Sequence, residues 1–496
     1  MQGETRNATL AELGLTLPGG KSQEITGISV DSRLVDAGHL FAALPGTRLH
    51  GAEHAAAALD RGAVAVLTDR AGAEVARDAL AGRDVPVILA EDPRQTLAFA
   101  AALFYRRQPE TMVAVTGTNG KTSVATFARQ IWEALGLSAM NLGTTGVEGA
   151  YAAPLGHTTP EPVTLHRLLS EAAQAGVTHA AMEASSHGLE QRRLDGVRLA
   201  AAAFTNFTQD HLDYHVDFDA YFAAKAGLFA RVLPEDGTAV IDIDDPRGPE
   251  MAAIAQARGQ DLLTVGRAEG AALRIIGQRF DPTGQELRFT WNGEVRQVRL
   301  NLIGGFQAEN VLVAAGLAIA SGAEPEQVFA VLSQLSTVRG RMQLAAQRSN
   351  GAAVFVDYAH TPAALETALA ALRPHVMGRL VVVYGAGGDR DRTKRPLMGA
   401  AAAAGADVRI VTDDNPRSED PAAIRLQITA ADGAALDIGD RAEAILRGAA
   451  ALEPGDALLI AGKGHETGQT VGDDVFPFDD VEQASLAVAA LDGHIA

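Results

Sequence analysis

No cysteine occurs in the 496 residues, which rules out a disulfide framework, a thiol nucleophile and a thiolate zinc site. No apolar run is long enough to span a bilayer, so no membrane is expected as a partner. Basic residues are also in short supply. Lys plus Arg number 42 against 61 Asp plus Glu, a net charge of −19, which argues against nucleic acid or anionic lipid as the main partner. An anionic substrate must therefore be met by local basic side chains. The opening MQGETRNATL has neither the basic nor the apolar region of a secretory signal, and the expected location is cytoplasmic.

What remains is globular composition, 47% hydrophobic and 21% charged. At about 150 residues per domain the length predicts three domains. We place them at 1–107, 108–337 and 338–496, with Gln108-Pro109 at the first junction and Arg339-Gly340-Arg341 at the second.

The chain is organised around residues 112–123, MVAVTGTNGKTS, where a β-prone run stops at a glycine turn and a helical pattern begins. That order suits a phosphate cradle. Gly117 and Gly120 let backbone N–H groups of Thr118, Asn119 and their neighbours close on phosphate oxygens, Lys121 adds a point charge, Thr122 offers a hydroxyl to Mg²⁺, and Ser123 lies at the positive end of the helix. Val115 stands where the general P-loop pattern has its first glycine, so the loop is a shorter one, TGTNGKT. A bare glycine turn with a solvated Lys121 is the bland alternative.

Around this loop the pattern alternates. The first section joins short β runs (Ile28 and Val30, 64–67, 87–89) with Ala-rich helices, the last of them over 96–107, and is a small α/β unit. The central section has a buried strand over 178–182, leaving Glu183 and Ser185 at its carboxyl end, where open parallel sheets bind ligands. A ligand-dense stretch, NFTQDHLDYH at 206–215, precedes a helix over 218–228 that contains Lys225. Segments near 272–280, 286–291 and 295–302, with a turn at Asn292-Gly293, predict antiparallel strands added to the central domain, followed by a helix through Ala320. The last section predicts strands over 353–357, 380–384, 408–412 and 457–461 in a doubly wound sheet. The fold class is thus α/β: a small N-terminal α/β domain, a central P-loop-type ATP-binding domain with a mostly parallel sheet, and a C-terminal Rossmann-like domain.

Ten ordered motifs, among them DSR at 31–33, TGTNGKT at 116–122, MEASSHGL at 182–189, FQAEN at 306–310, RGRM at 339–342, DYAHTP at 357–362, DNPR at 414–417 and GKGHE at 462–466, together resemble the Mur ligases, with folylpolyglutamate synthetases as more distant kin. They look most like the branch that adds the third residue of the peptidoglycan peptide. The resemblance implies an ATP-dependent acid–amino-acid ligase acting on UDP-N-acetylmuramoyl-L-alanyl-D-glutamate through an acyl phosphate, with DNPR as the family's signature for meso-diaminopimelate. It also implies two Mg²⁺ ions, one held by Thr122 and Glu183, the other by His211 and by Lys225 after reaction with CO₂ to a carbamate. Asn310, Arg341 and Asp357 should contact ATP. Val30, Ser32, Thr47, Arg48, Leu49, Thr158, Thr159, Ser185, Gln191 and Arg193 should hold the UDP-sugar dipeptide.

For the diamino acid the implied set is Arg390, Asp414, Asn415, Pro416, Arg417, Gly462 and Glu466, with the Arg417 guanidinium gripping the distal carboxylate. His187 and His215 read as structural residues. His157 stands where related enzymes often have Asn, and Thr-Gly-Gln after Glu466 replaces a bulkier run. Lysine or ornithine as the amine, folylpolyglutamate synthesis and a P-loop switch ATPase stay open as alternatives. A monomer is expected.

Overall fold

The computed structural model describes residues 7–16, 23–46, 49–208 and 214–493. Contacts group the chain into two compact units, Met1–Leu273 with Leu312–Val328, and Arg274–Val311 with Phe329–Ala496.

In the first unit, β1 (Gly27–Ser29), β2 (His39–Ala42), β3 (Ala65–Thr68) and β4 (Val87–Leu89) form a wholly parallel sheet in that order. Side chains alternate between its faces, as the period of two requires. Ile28, Leu40, Ala42 and Leu67 join one core, and Phe41, Ala43 and Val66 the other. Helix α1 (Pro93–Tyr105) starts where Asp92 accepts the Gln95 N–H and Pro93 occupies the first turn, and it buries Leu97, Ala100 and Phe104. It begins three residues earlier than the sequence reading has it, because the cap decides the start.

The second sheet of this unit runs through β5 (Thr111–Thr116), β6 (Ala139–Gly143), β7 (Gly146–Gly149), β8 (His179–Glu183), β9 (Ala201–Phe204), β10 (Thr238–Asp242) and β11 (Asp261–Gly266). Its spatial order is β11-β10-β9-β5-β8-β6-β7, parallel except for β7. The central β5 pairs with β8 on one side, Val115 opposite Glu183, and with β9 on the other, Thr116 opposite Phe204. That register brings the carboxyl ends of three strands to one edge beside the start of helix α2 (Lys121–Ala134), whose Val124, Phe127 and Ile131 are buried. Helix α3 (Pro162–Gln174) and helix α4 (Phe218–Gly227) complete the frame.

In the second unit, β12 (Leu273–Asp281), β13 (Gly284–Trp291) and β14 (Glu294–Leu300) are the antiparallel strands expected, and Asn292 (φ 50°) with Gly293 (φ 81°) makes the tight turn between the last two. By contacts, Arg274–Val311 groups with Phe329–Ala496. The buried His375 ring supplies a reason: its Nε2 accepts the Gly304 N–H at 3.0 Å and its Nδ1 lies 2.7 Å from the Asp281 carbonyl.

Six strands follow: β15 (Gln343–Gln347), β16 (Ala353–Asp357), β17 (Leu380–Tyr384), β18 (Val408–Val411), β19 (Leu436–Asp437) and β20 (Ala457–Ala461), in the order β15-β16-β20-β17-β18-β19, with only β15 antiparallel. Phe355, Val382 and Leu459 face one core, and Val356, Val383 and Ile460 the other, each covered by helices. This is the doubly wound sheet read from the sequence. A hairpin, β21 (Gly468–Val471) with β22 (Asp474–Pro477), stands beside it. Among the described residues no helix is long and apolar enough to cross a membrane.

Candidate active site

Strand β5 is buried from Met112 to Thr116, and then the chain turns through Gly117 (φ 146°) and Gly120 (φ 87°) into α2. A Cβ on Gly117 would fall on the Thr205 hydroxyl, so only glycine lets the loop lie this close to the end of β9. The loop is braced from that side. Asn206 O accepts the Thr118 N–H (2.8 Å), Asn206 Oδ1 accepts the Asn119 N–H (2.8 Å), and Thr205 Oγ1 donates to Asn119 O (2.6 Å). Thr118 Oγ1 also accepts the Thr208 N–H and touches the Tyr221 hydroxyl of α4.

Two lysines converge on one oxygen. Lys121 Nζ donates to Gly117 O at 2.9 Å and to Thr118 O at 2.8 Å, while Lys225 Nζ reaches Gly117 O at 2.7 Å. Lys225 is 1% exposed, its ammonium 4.5 Å from the Tyr221 ring centre, so it points into the protein and not to solvent. Two ammonium groups on one carbonyl place positive charge beside the loop, where a phosphate would lie. Thr122 and Ser123 follow directly in the first turn of α2. His211, together with Thr47 and Arg48, lies outside the described residues.

Glu183 closes β8 and is buried. Its carboxylate accepts the Thr144 N–H at 2.7 Å and the Thr144 hydroxyl at 3.2 Å. Those donors fix the carboxylate but leave acceptor capacity, and carboxylate and hydroxyl oxygens such as those of Glu183 and Thr122 are the hard donors that Mg²⁺ prefers. The loop, its two lysines and this donor set fit a nucleotide triphosphate with its metal.

From Glu183 a hydroxyl network leads to the expected dipeptide residues. Thr144 Oγ1 lies 3.1 Å from Thr158 Oγ1. Thr159 Oγ1 donates to Glu183 O (2.9 Å) and accepts the Ser185 N–H (3.1 Å), and Arg193 donates to Thr159 O and to Gln191 Oε1 (2.8 Å). Gln191 and Arg193 then line a pocket of about 100 Å³ with Val30, Arg94, Leu97 and Glu161. Burial, with Arg94 nearby, holds the Arg193 guanidinium below its ordinary range. Three of the residues expected there are thus together. Arg94, Leu97 and Thr144 are additions, since nothing local in the sequence marks them.

Leu49 is exposed, and Ser32 opens a turn in which Asp31 accepts the Arg33 N–H (2.9 Å) and pairs with its side chain. That pairing holds the Asp31 carboxyl down at about 2. His187 stacks on Tyr214 with centroids 3.8 Å apart, and His215 is buried with Nδ1 3.3 Å from Glu190, in keeping with structural roles.

The second unit has its own strand-end cluster. Asn415 is central: its Oδ1 accepts from Lys463 Nζ (2.9 Å) and from the Thr470 N–H (2.9 Å), and its Nδ2 donates to Glu466 Oε2 (2.9 Å). Arg417 sits at φ 51°, and donates from its side chain to Gly388 O at 2.8 Å. Pro416 joins them, and Arg390 donates to Asp389 O. Gly462 takes φ 123°, and a Cβ there would come 2.6 Å from Asp414 Oδ2. That Oδ2 is buried with no hydrogen-bond partner. The Asp414 carboxylate interacts with the Arg441 and Lys394 cations and keeps acceptor capacity at Oδ2 for a further donor.

Asn310 donates to Gln307 Oε1, Arg341 lies over the Tyr358 ring, and Arg339 pairs with Asp479. Asp357 accepts N–H bonds from Met342 (2.7 Å) and Ala359 (2.8 Å), and burial pushes its carboxyl up despite Arg341.

Family models match in chain order: Mur ligase family, catalytic domain, over 24–105; Mur ligase middle domain over 115–318; and Mur ligase, glutamate ligase domain, over 340–464. The chain belongs to the Mur ligase family. It is 51% identical to the UDP-N-acetylmuramoyl-L-alanyl-D-glutamate–2,6-diaminopimelate ligase of Brucella melitensis, over 95% of this chain and 96% of that protein. Its identity to the enzyme of the same name from Caulobacter vibrioides is 49%, over 94% and 96%. A solved structure of such a ligase superposes with TM-score 0.77 at 33% identity, covering 99% of this chain and all of that one.

Proposed function

We propose that this Mur ligase joins meso-2,6-diaminopimelate to the D-glutamate carboxylate of UDP-N-acetylmuramoyl-L-alanyl-D-glutamate at the expense of ATP, a step of peptidoglycan precursor synthesis carried out in the cytoplasm. The observation that carries it is the pairing of a lysine-lined phosphate loop with a separate strand-end cluster built for a zwitterion. The full-length identity to enzymes of that name supports it. We retain domain limits at 107/108 and 337/338, the monomer, and the site residues named above as parts of this reading.

A carboxylate does not react with an amine until its oxygen becomes a better leaving group, and the γ-phosphoryl group of ATP provides that as an acyl phosphate. The backbone of 117–120 and Lys121 hold the phosphates in line. Thr122 and Glu183 would hold one Mg²⁺, and Lys225 as a carbamate, with His211, a second; when bound, these ions neutralise charge on the transferring group. Lys225 loses its protons to solvent as its free amine attacks CO₂, so that a carbamate would place anionic oxygens where the buried ammonium stands. The pocket at Arg94 and Arg193 takes the UDP end, and the Thr158–Thr159–Ser185 hydroxyls align the peptide carboxylate toward Glu183. In the other unit Asp414 and Glu466 receive an ammonium group and Arg417 the distal carboxylate, so lysine and ornithine leave the guanidinium facing a cation. Mass spectrometry of the product with diaminopimelate, lysine and ornithine in equimolar competition tests this. The diaminopimelate adduct should dominate, and a dominant lysine or ornithine adduct would overturn the assignment.

A further inference from the structure

Helix α4 does not end at Gly227. It continues as a single π-helical turn, Leu228–Val232, a geometry that is rare and frequently found at functional sites. The carbonyls of this turn are met by side chains from elsewhere in the same unit. The buried Gln260 donates to Phe229 O (2.8 Å) and Leu233 O (3.0 Å), and Arg258 donates to Ala230 O (2.6 Å). With those oxygens satisfied the turn is a stable feature, and its effect is to aim one side chain. Arg231 pairs with Asp195, whose side chain is 2% exposed, and donates to Leu189 O at 2.8 Å. Asp195 also accepts from Gln95 Nε2 at 3.0 Å, and a second pair, Arg192 with Asp92 at 2.9 Å, joins the same two segments.

These contacts meet at the candidate site from two directions. Leu189 and Asp195 bracket Gln191 and Arg193, while Gln95 lies between Arg94 and Leu97, and all four line the pocket. Six residues before Arg231, and on the continuous helical segment, is Lys225 against the phosphate loop.

We propose that Arg231 and Asp195 are positioning residues that hold the Lys225 helix in register with the UDP-substrate pocket, so that the bound substrate's carboxylate and the Lys225 side chain are presented to each other at a set distance. This rests on the function proposed above. Both residues are away from the reacting atoms and act through Lys225, Gln191 and Arg193. Loosening the clamp therefore lowers kcat and weakens the UDP-substrate, while ATP and diamino acid binding stay intact. A general loss of packing would move all of these together.

The test is steady-state kinetics on the full-length enzyme for Arg231→Met, Arg231→Lys, Asp195→Asn and the double variant Arg231→Met/Asp195→Asn. Thermal melts of each check folding. Arg231→Met should lower kcat about tenfold or more and raise KM for the UDP-substrate several-fold, with KM for ATP and for the diamino acid within twofold of wild type. Arg231→Lys should recover part of the loss, and the double variant should be no worse than the poorer single one, since both remove the same contact. If Arg231→Met does not fold, the Arg231→Lys and Asp195→Asn patterns decide. Wild-type kinetics in a folded Arg231→Met, equal losses for all three substrates, or additive losses in the double variant would overturn the proposal. Absence of ligase activity in the wild type would instead refute the function on which it rests.

Discussion

The two strand-end clusters occupy corresponding positions in their own sheets yet differ in charge, the first gathering cations and the second mixing both signs. At the end of β5 the chain presents a glycine turn and two lysines, with the Glu183 carboxylate tied down by Thr144. Beyond β18 and β20 it presents Asp414 and Glu466 together with Arg390 and Arg417, and a buried lysine, Lys463, that is already engaged by Asn415 and Glu466. The carboxyl edge of a parallel sheet supplies only the place, while glycine turns and the side chains after each strand set the sign of the ligand. The first edge suits a polyphosphate and the second an amino acid, and a ligase needs both.

The largest expected effect breaks the first edge. Lys225→Ala should cut turnover by about 10³-fold or more, with partial recovery on adding formate or acetate as a substitute for the missing carbamate. Full activity of the variant without such an addition would remove the modified lysine from the account.

Next comes the second edge. Arg417→Ala should raise KM for diaminopimelate by about 10- to 100-fold while KM for ATP stays within twofold, the cost of a lost bidentate guanidinium contact. Equal losses for the two substrates would place Arg417 outside the amino-acid pocket. Asp414→Asn should act in the same direction, more weakly, because the amide keeps one acceptor but gives up the charge that faces an ammonium group; a KM for diaminopimelate equal to that of wild type would show that Oδ2 meets no ammonium group of the substrate.

How much of this could be read before the structure depends on whether the signal is local. The phosphate loop, Glu183 at the end of a strand and the DNPR turn each combine a short β run with glycine or proline punctuation, and each lies where that pattern puts it. The burial of Lys225 was not legible in the same way: a helix of low amphipathicity carries no mark that its lysine points inward, and only the motifs around it argued for that. Arg94, Thr144, Gln260 and Arg231 escaped altogether, since their roles come from partners 27 to 49 residues away. His375 carried no mark either: it is a lone histidine on a helical turn whose ring meets backbone groups at Asp281 and Gly304.

The smallest effect concerns stability and distinguishes the first unit. His166 on α3 is 2% exposed, and burial pushes its imidazole down to about 4. Its folded value lies below the ordinary one, so the unfolded chain takes up a proton that the folded chain refuses. Stability is thus complete above about pH 6.5 and declines as pH falls toward about 4, by on the order of 3 kcal/mol at most. Denaturant titrations across that range should show the decline in wild type and a flatter profile in His166→Leu; parallel profiles would mean that the ring is protonated in the fold.

The most direct test of two edges serving one reaction is phosphate release measured with each substrate omitted in turn. Sustained release should require ATP, UDP-N-acetylmuramoyl-L-alanyl-D-glutamate and diaminopimelate together, one phosphate per peptide bond formed. Steady hydrolysis of ATP with neither acceptor present would contradict the account and mark the chain as a P-loop switch ATPase.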